Sequence, residues 1–113
     1  MKYLMFGGGD ETLELTPEEG RQMGADTEAW VNEMDGRGVR VMGQRLGGTS
    51  EATTVRVRDD EVLVADGPFA ETKEQIGGFD ILECVDLDEA IEVASKHPVA
   101  KIGFLEVRPF WQD

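Results

Sequence analysis

The chain has 113 residues, 40% of them hydrophobic, with 24 acidic against 11 basic side chains and a net charge of −13. That length supports one domain, residues 1–113, with a single core. The charge argues against functions that rest on neutralising phosphate, so neither nucleic acid nor an anionic membrane surface is an expected partner. One cysteine, Cys84, leaves no intrachain disulfide.

Residues 1–6 form an apolar run too short for a signal-peptide core or a bilayer span, which predicts a cytoplasmic location. Residues 2–6 read as a strand, with Leu4 and Phe6 on one face and Tyr3 and Met5 on the other. Both faces are apolar, as in a central strand covered on both sides. Gly7-Gly8-Gly9-Asp10 reads as a flexible exit. Thr16-Pro17-Glu18-Glu19 then starts a helix: Thr16 caps, Pro17 takes the first helical position and Glu19 completes a capping box. Gly20, Met23, Gly24, Thr27, Trp30, Val31 and Met34 recur at helical spacing. The glycines predict close approach of the sheet beneath, and Gly36 and Gly38 end the helix.

Residues 39–46 read as a second strand, placed at an edge because Arg40, Gln44 and Arg45 interrupt it. Gly47-Gly48-Thr49-Ser50 is a loop. Residues 53–58 alternate, with Val55 and Val57 inward and Thr54, Arg56 and Arg58 opposite, and Asp59-Asp60 turns them into residues 62–65 as a β-hairpin. A loop covering residues 66–79 follows, with Phe69 expected to bury its ring. Residues 79–85 are apolar on both faces, and Cys84 within them reads as a small buried hydrophobe. Asp86 and Glu89 cap a second helix whose buried stripe is read as Leu87, Ala90, Ile91 and Ala94, stopped by Pro98. Residues 102–109 form the last strand.

The order β-α-β, hairpin, β-α-β matches an α+β ferredoxin-like sandwich with an added β-hairpin. Two helices cover one face of such a sheet, yet the first strand and residues 79–85 are apolar on both. The second face therefore predicts a homodimer packed sheet to sheet.

The run Asp66-Gly67-Pro68-Phe69-Ala70-Glu71-Thr72-Lys73-Glu74 followed by Gly77-Gly78 resembles the signature of YCII-related proteins of the DGPF-motif subgroup. Thr54-Val55-Arg56, Asp86-Leu87-Asp88-Glu89-Ala90 and Glu106-Val107-Arg108-Pro109 extend the likeness over nearly the whole chain. The resemblance implies a ferredoxin-like fold assembled as a dimeric α+β barrel, with a function largely unassigned. It also implies a link to extracytoplasmic-function sigma factors, beside whose genes relatives often stand. The broader group is associated with a His-Asp pair, whereas the only histidine here, His97, follows the second helix beside Pro98.

The ligand-binding candidates are Arg56, Asp66, Glu71 and Lys73. Asp66 lies at a strand end, Glu71 and Lys73 offer a carboxylate and an ammonium at a pocket mouth, and Arg56 on the hairpin calls for a carboxylate partner or an anionic ligand. Asp66, Glu83 and Glu106 are the partners considered for Arg56. Asp66, Glu71 and His97 are the candidate catalytic groups, although His97 also fits a capping role at a helix C-terminus. No set of residues has metal-ligand spacing, and Gly7-Gly8-Gly9-Asp10 lacks the Lys and Ser/Thr of a phosphate-binding loop, so no metal or cofactor is expected. The reading is a dimeric small-molecule-binding protein or enzyme with a polar cleft near the loop, taking a small polar or anionic ligand. The alternative is an accessory protein that contacts a sigma factor or another protein.

Overall fold

A computed structural model describes residues 1–112. Six strands and two helices follow one another as β1 (Lys2–Asp10), α1 (Pro17–Gly36), β2 (Arg40–Arg45), β3 (Thr53–Arg58), β4 (Glu61–Asp66), β5 (Glu74–Glu83), α2 (Leu87–Ser95) and β6 (Phe104–Pro109), with 3₁₀ turns at Thr49–Glu51 and Pro98–Lys101. The main sheet is antiparallel in the order β2-β5-β1-β6, and β3 and β4 pair apart from it. With β3–β4 set aside, the order and the two crossover helices are those of an α+β fold compatible with the ferredoxin-like class. The Arg- and Gln-bearing β2 does lie at an edge, while β1 and β5 are central.

Both helix starts follow from local chemistry. Thr16 accepts from the Glu19 N–H while the Glu19 carboxylate accepts from the Thr16 N–H, and Asp86 accepts from the Glu89 N–H. Two strands run longer than their apolar residues suggest. Gly7, Gly8 and Gly9 are part of β1 rather than a flexible exit, and Glu74 to Gly78 belong to β5. The reason is steric: a Cβ on Gly8 would run into the Gln75 carbonyl oxygen, and one on Gly103 into that of Gly8. Only side-chain-free backbone pairs at that separation, and the register slips there, between Gly7 and Gly8.

The helices cover one face of the sheet. Tyr3 and Met5 of β1, Leu82 of β5 and Cys84 just beyond it pack against Trp30 and Met34 of α1 and Ala90, Val93 and Ala94 of α2. The indole Nε1–H of Trp30 donates to the Val93 carbonyl at 2.9 Å, which ties the two helices together. The stripe of α2 is rotated from the one expected: Val93 is buried, whereas Leu87 and Ile91 are half exposed. With α1 alongside as well as the sheet beneath, the 90/93/94 ridge is the one covered on both sides.

The other face has no helix over it. The register places Leu4, Phe6, Phe79, Ile81 and Phe104 there, with Glu106 and Arg108 near β1. The hairpin also stands clear of the core. Asp59 and Asp60 both take positive φ (51° and 62°), the geometry of a two-residue turn matched to strand twist. Val55, Val57, Val62 and Val64 share one hairpin face, each 55–64% exposed, so the two valines expected to point inward have no cover within the protomer. The radius of gyration is 16.0 Å, against about 13 Å for a compact chain of this length.

Candidate functional site

A cavity of about 660 Å³ lies between the first half of α1 and the helix-covered face of the sheet. Gly20 and Gly24 line it, and a Cβ at either would meet nothing within 4 Å. The glycines therefore do not let α1 settle onto the sheet, as their spacing suggested. They leave a gap, because the strands below also lack side chains: Gly7, Gly43 and Gly78 line the same space. The body of the cavity is apolar, with Met5, Met23, Val31 and Leu105 among its walls.

Its polar groups come from three elements. Arg40 of β2 donates from Nε to the Asp80 carboxylate of β5 at 2.8 Å and from Nη1 to Asp35 at 3.2 Å. Arg40 and Asp80 keep 15% and 13% of their side-chain surface exposed. Burial pushes the Asp80 carboxyl above its usual range even against the pull of Arg40. Gly43 is what lets this carboxylate lie over β2, since a Cβ there would strike it. His97 lines the cavity from the start of the second 3₁₀ turn. Its ring meets Trp30 edge-on at 4.7 Å. Nδ1 accepts the Val99 N–H at 3.1 Å, which fixes the neutral tautomer with the proton on Nε2. Burial holds its pKa below the usual imidazole value. His97 thus caps the turn after α2 as an acceptor and not as a cation on a helix dipole. Arg45 completes the charged lining, and among the described residues it makes no ion pair.

The loop residues are placed elsewhere. Gly67 adopts φ 98°, its N–H donates to the Ala52 carbonyl at 2.8 Å, and its own carbonyl accepts from the Thr54 hydroxyl at 2.8 Å. The turn is held by these bonds rather than by the Asp66 carboxylate, and the Gly67–Pro68 bond is trans. Phe69 is 77% exposed and buries nothing in the protomer, a correction to the expected plug. The Gln75 amide ties the loop from below, donating to the Ala70 carbonyl at 2.9 Å and the Thr72 carbonyl at 3.2 Å. Glu71 and Lys73 line a second, smaller groove of about 480 Å³ with Asp10, Glu11, Thr12 and Thr49. Within it Thr12 donates to Asp10 and holds that carboxyl below its usual range, while the Thr49 hydroxyl donates to Glu11 at 2.5 Å.

Asp66 and Arg56 do not line this groove. The register pairs Arg56 with Leu63 and Asp66 with Thr53, so strand alternation puts the two on opposite faces of the hairpin. Of the partners considered for Arg56, Glu83 lies 3.9 Å from the N-terminal ammonium and Glu106 pairs with Arg108 at 2.5 Å. The structure thus places Glu71 and Lys73 on one groove, and His97, Asp80 and Arg40 on the walls of one cavity. The signal for the second set was present in the sequence as charged residues inside strand patterns, Arg40 in β2 and Asp80 in β5. Among the described residues, no cluster of three His, Cys, Asp or Glu side chains is placed to hold a metal. No helix there is long and apolar enough to cross a membrane.

A two-helix α+β sheet with a cleft under its first helix is the class of protein the geometry defines. The chain matches the YCII-related domain over residues 1–112 and belongs to that family. An uncharacterized protein of Rhizobium meliloti (strain 1021) is 39% identical over 100 residues, covering 74% of this chain and 81% of the relative.

Proposed function

We propose that the chain is a small-molecule-binding protein whose ligand enters the cleft between α1 and the sheet. The observation behind this reading is a hollow kept open by glycines on both walls, into which a neutral histidine and a buried Arg–Asp pair are built. His97, held neutral with its proton on Nε2, can offer an N–H donor to a ligand, and Arg40 and Asp80 supply polar groups on the wall of the same cavity. The test is a fragment screen by protein-observed NMR on wild type and Gly24→Leu. Shifts at Gly78 and Trp30 that vanish in the variant support the cleft. Shifts confined to the Glu71–Lys73 groove, or unchanged by Gly24→Leu, move the site to the loop.

The Glu71–Lys73 groove is the second ligand site in this reading, suited by its carboxylates to a small polar cation-bearing group. Within the family we place the chain in the DGPF-type branch on residues 66–74. We also assign the uncovered sheet face and the valine face of the hairpin to a second copy of the chain. An isolated two-stranded hairpin is marginal in water, and both faces are apolar. Light scattering is expected to give a dimer at micromolar concentration and a monomer for Ile81→Asp. A monomeric wild type removes this assignment. A regulatory role through contact with an extracytoplasmic-function sigma factor draws its support from exposed Phe69. Co-purification of such a factor, lost in Phe69→Ala, is its test.

A further inference from the structure

We infer that the cleft selects a flat monocarboxylate, with the carboxylate on Arg45 and the planar body over glycine backbone. This rests on the cleft being the ligand site. The antiparallel register places Arg45, Gly78, Gly7 and Leu105 side by side across β2, β5, β1 and β6, on the face turned toward α1. Gly78 and Gly7 of that row carry no side chain: over Gly7 the Leu105 side chain leans to within 3.1 Å of where a Cβ would sit, whereas only backbone lies near the Gly78 position. With strands about 4.8 Å apart, the bare peptide at Gly78 gives a planar ring a floor, with a guanidinium on one side and the Leu105 side chain, leaning over Gly7, on the other. Gly20 and Gly24 above leave that space unfilled. A floor of flat peptide groups under a shallow gap fits a planar ring better than a branched aliphatic body.

The charge at the end of the row sets the sign of the ligand. The chain carries a net −13, yet the cleft is lined by Arg40, Arg45 and Asp80, with His97 neutral. Asp80 is already paired with Arg40. Arg45 is the arginine of the cleft without a carboxylate partner among the described residues. A guanidinium in that position donates two parallel N–H···O bonds to a carboxylate, which a neutral amide cannot match. The apolar walls exclude small, fully hydrated anions in favour of one with a ring to bury.

The experiment titrates the wild-type protein with 2-naphthoate and with its neutral counterpart 2-naphthamide, by calorimetry and by amide shifts at Gly7 and Gly78. The expected result is at least tenfold tighter binding of naphthoate, reduced to parity in Arg45→Gln with naphthamide binding unchanged. Arg45→Lys, which keeps the charge but not the planar fork, is expected to recover part of the preference. Equal affinities for the two probes in wild type overturn the carboxylate inference while leaving the cleft intact. A naphthoate preference that persists in Arg45→Gln overturns the role of Arg45. Failure of both probes, with other fragments still bound and lost in Gly24→Leu, overturns the inference alone. Absence of any fragment sensitive to Gly24→Leu overturns it together with the cleft.

Discussion

The two halves of α1 lie over the same face of the same sheet and meet opposite fates. In the C-terminal half, Trp30 and Met34 are buried against Tyr3, Met5 and Leu82. In the N-terminal half, Gly20 and Gly24 face the cavity with nothing within 4 Å of where a Cβ would sit, and Gly7 and Gly78 line its other wall. Helix geometry and hydrophobic spacing are continuous through both. What differs is side-chain volume on each wall, and a cleft results where both walls lack it. Close packing elsewhere in the core makes such a hollow stable: the half that fills its space holds the helix for the half that does not.

Four substitutions or conditions test that division, in descending order of expected effect. Trp30→Ala removes the indole at the boundary, its bond to Val93 and its contact with His97. It is expected to destabilise by about 3–5 kcal/mol in urea unfolding. A loss under 1 kcal/mol means that the packed half does not anchor the helix. Asp80→Ala leaves Arg40 with Asp35 alone in a largely buried setting, at a cost of about 1–3 kcal/mol; an unchanged denaturation midpoint makes the pair a surface one. Gly20→Ala, by contrast, is expected to stabilise by up to about 1 kcal/mol, since helix propensity improves and nothing lies near the new Cβ. A destabilised Gly20→Ala places an unseen neighbour over the cleft.

The smallest effect is pH-dependent. Burial lowers the folded pKa of His97 below its unfolded value. Below the unfolded value of about 6.5 the unfolded chain binds the extra proton. The contribution is therefore fully present above that pH and is lost as pH falls through the folded value. Asp80, whose folded pKa is raised, works in the opposite direction within the carboxylate range. His97→Gln is expected to lose less stability than wild type between pH 7.5 and pH 5.5. Parallel losses in the two proteins place His97 outside the buried half.

Much of this division was legible before folding, though not its meaning. The capping box at Thr16, the Asp86 cap, the edge position of β2 and the central positions of β1 and β5 were readable, because each rests on contacts within a few residues or on the period of apolar side chains. The cleft was not. Gly20 and Gly24 read as signs of close approach, and the run at residues 7–9 read as a loose exit. Glycine permits both contact and void, and only the facing wall decides between them. Arg40 and Asp80 sit forty residues apart, and strand pairing alone joins them. On α2 the expected stripe holds at Ala90 and Ala94 but fails at Leu87 and Ile91 and omits Val93, since covering from two sides selects a ridge that a single helix pattern does not.

The sequence by itself determined the family, through the residue run from Asp66 to Glu74, and the order of strands and helices, through local caps and alternation. The tertiary structure alone decided where chemistry gathers. It turned Phe69 outward, placed Arg56 and Asp66 on opposite faces of a hairpin, and set His97 and Arg45 around a glycine-floored hollow. Local signals are written in neighbouring side chains, whereas a cavity is written in the side chains that two distant segments both omit.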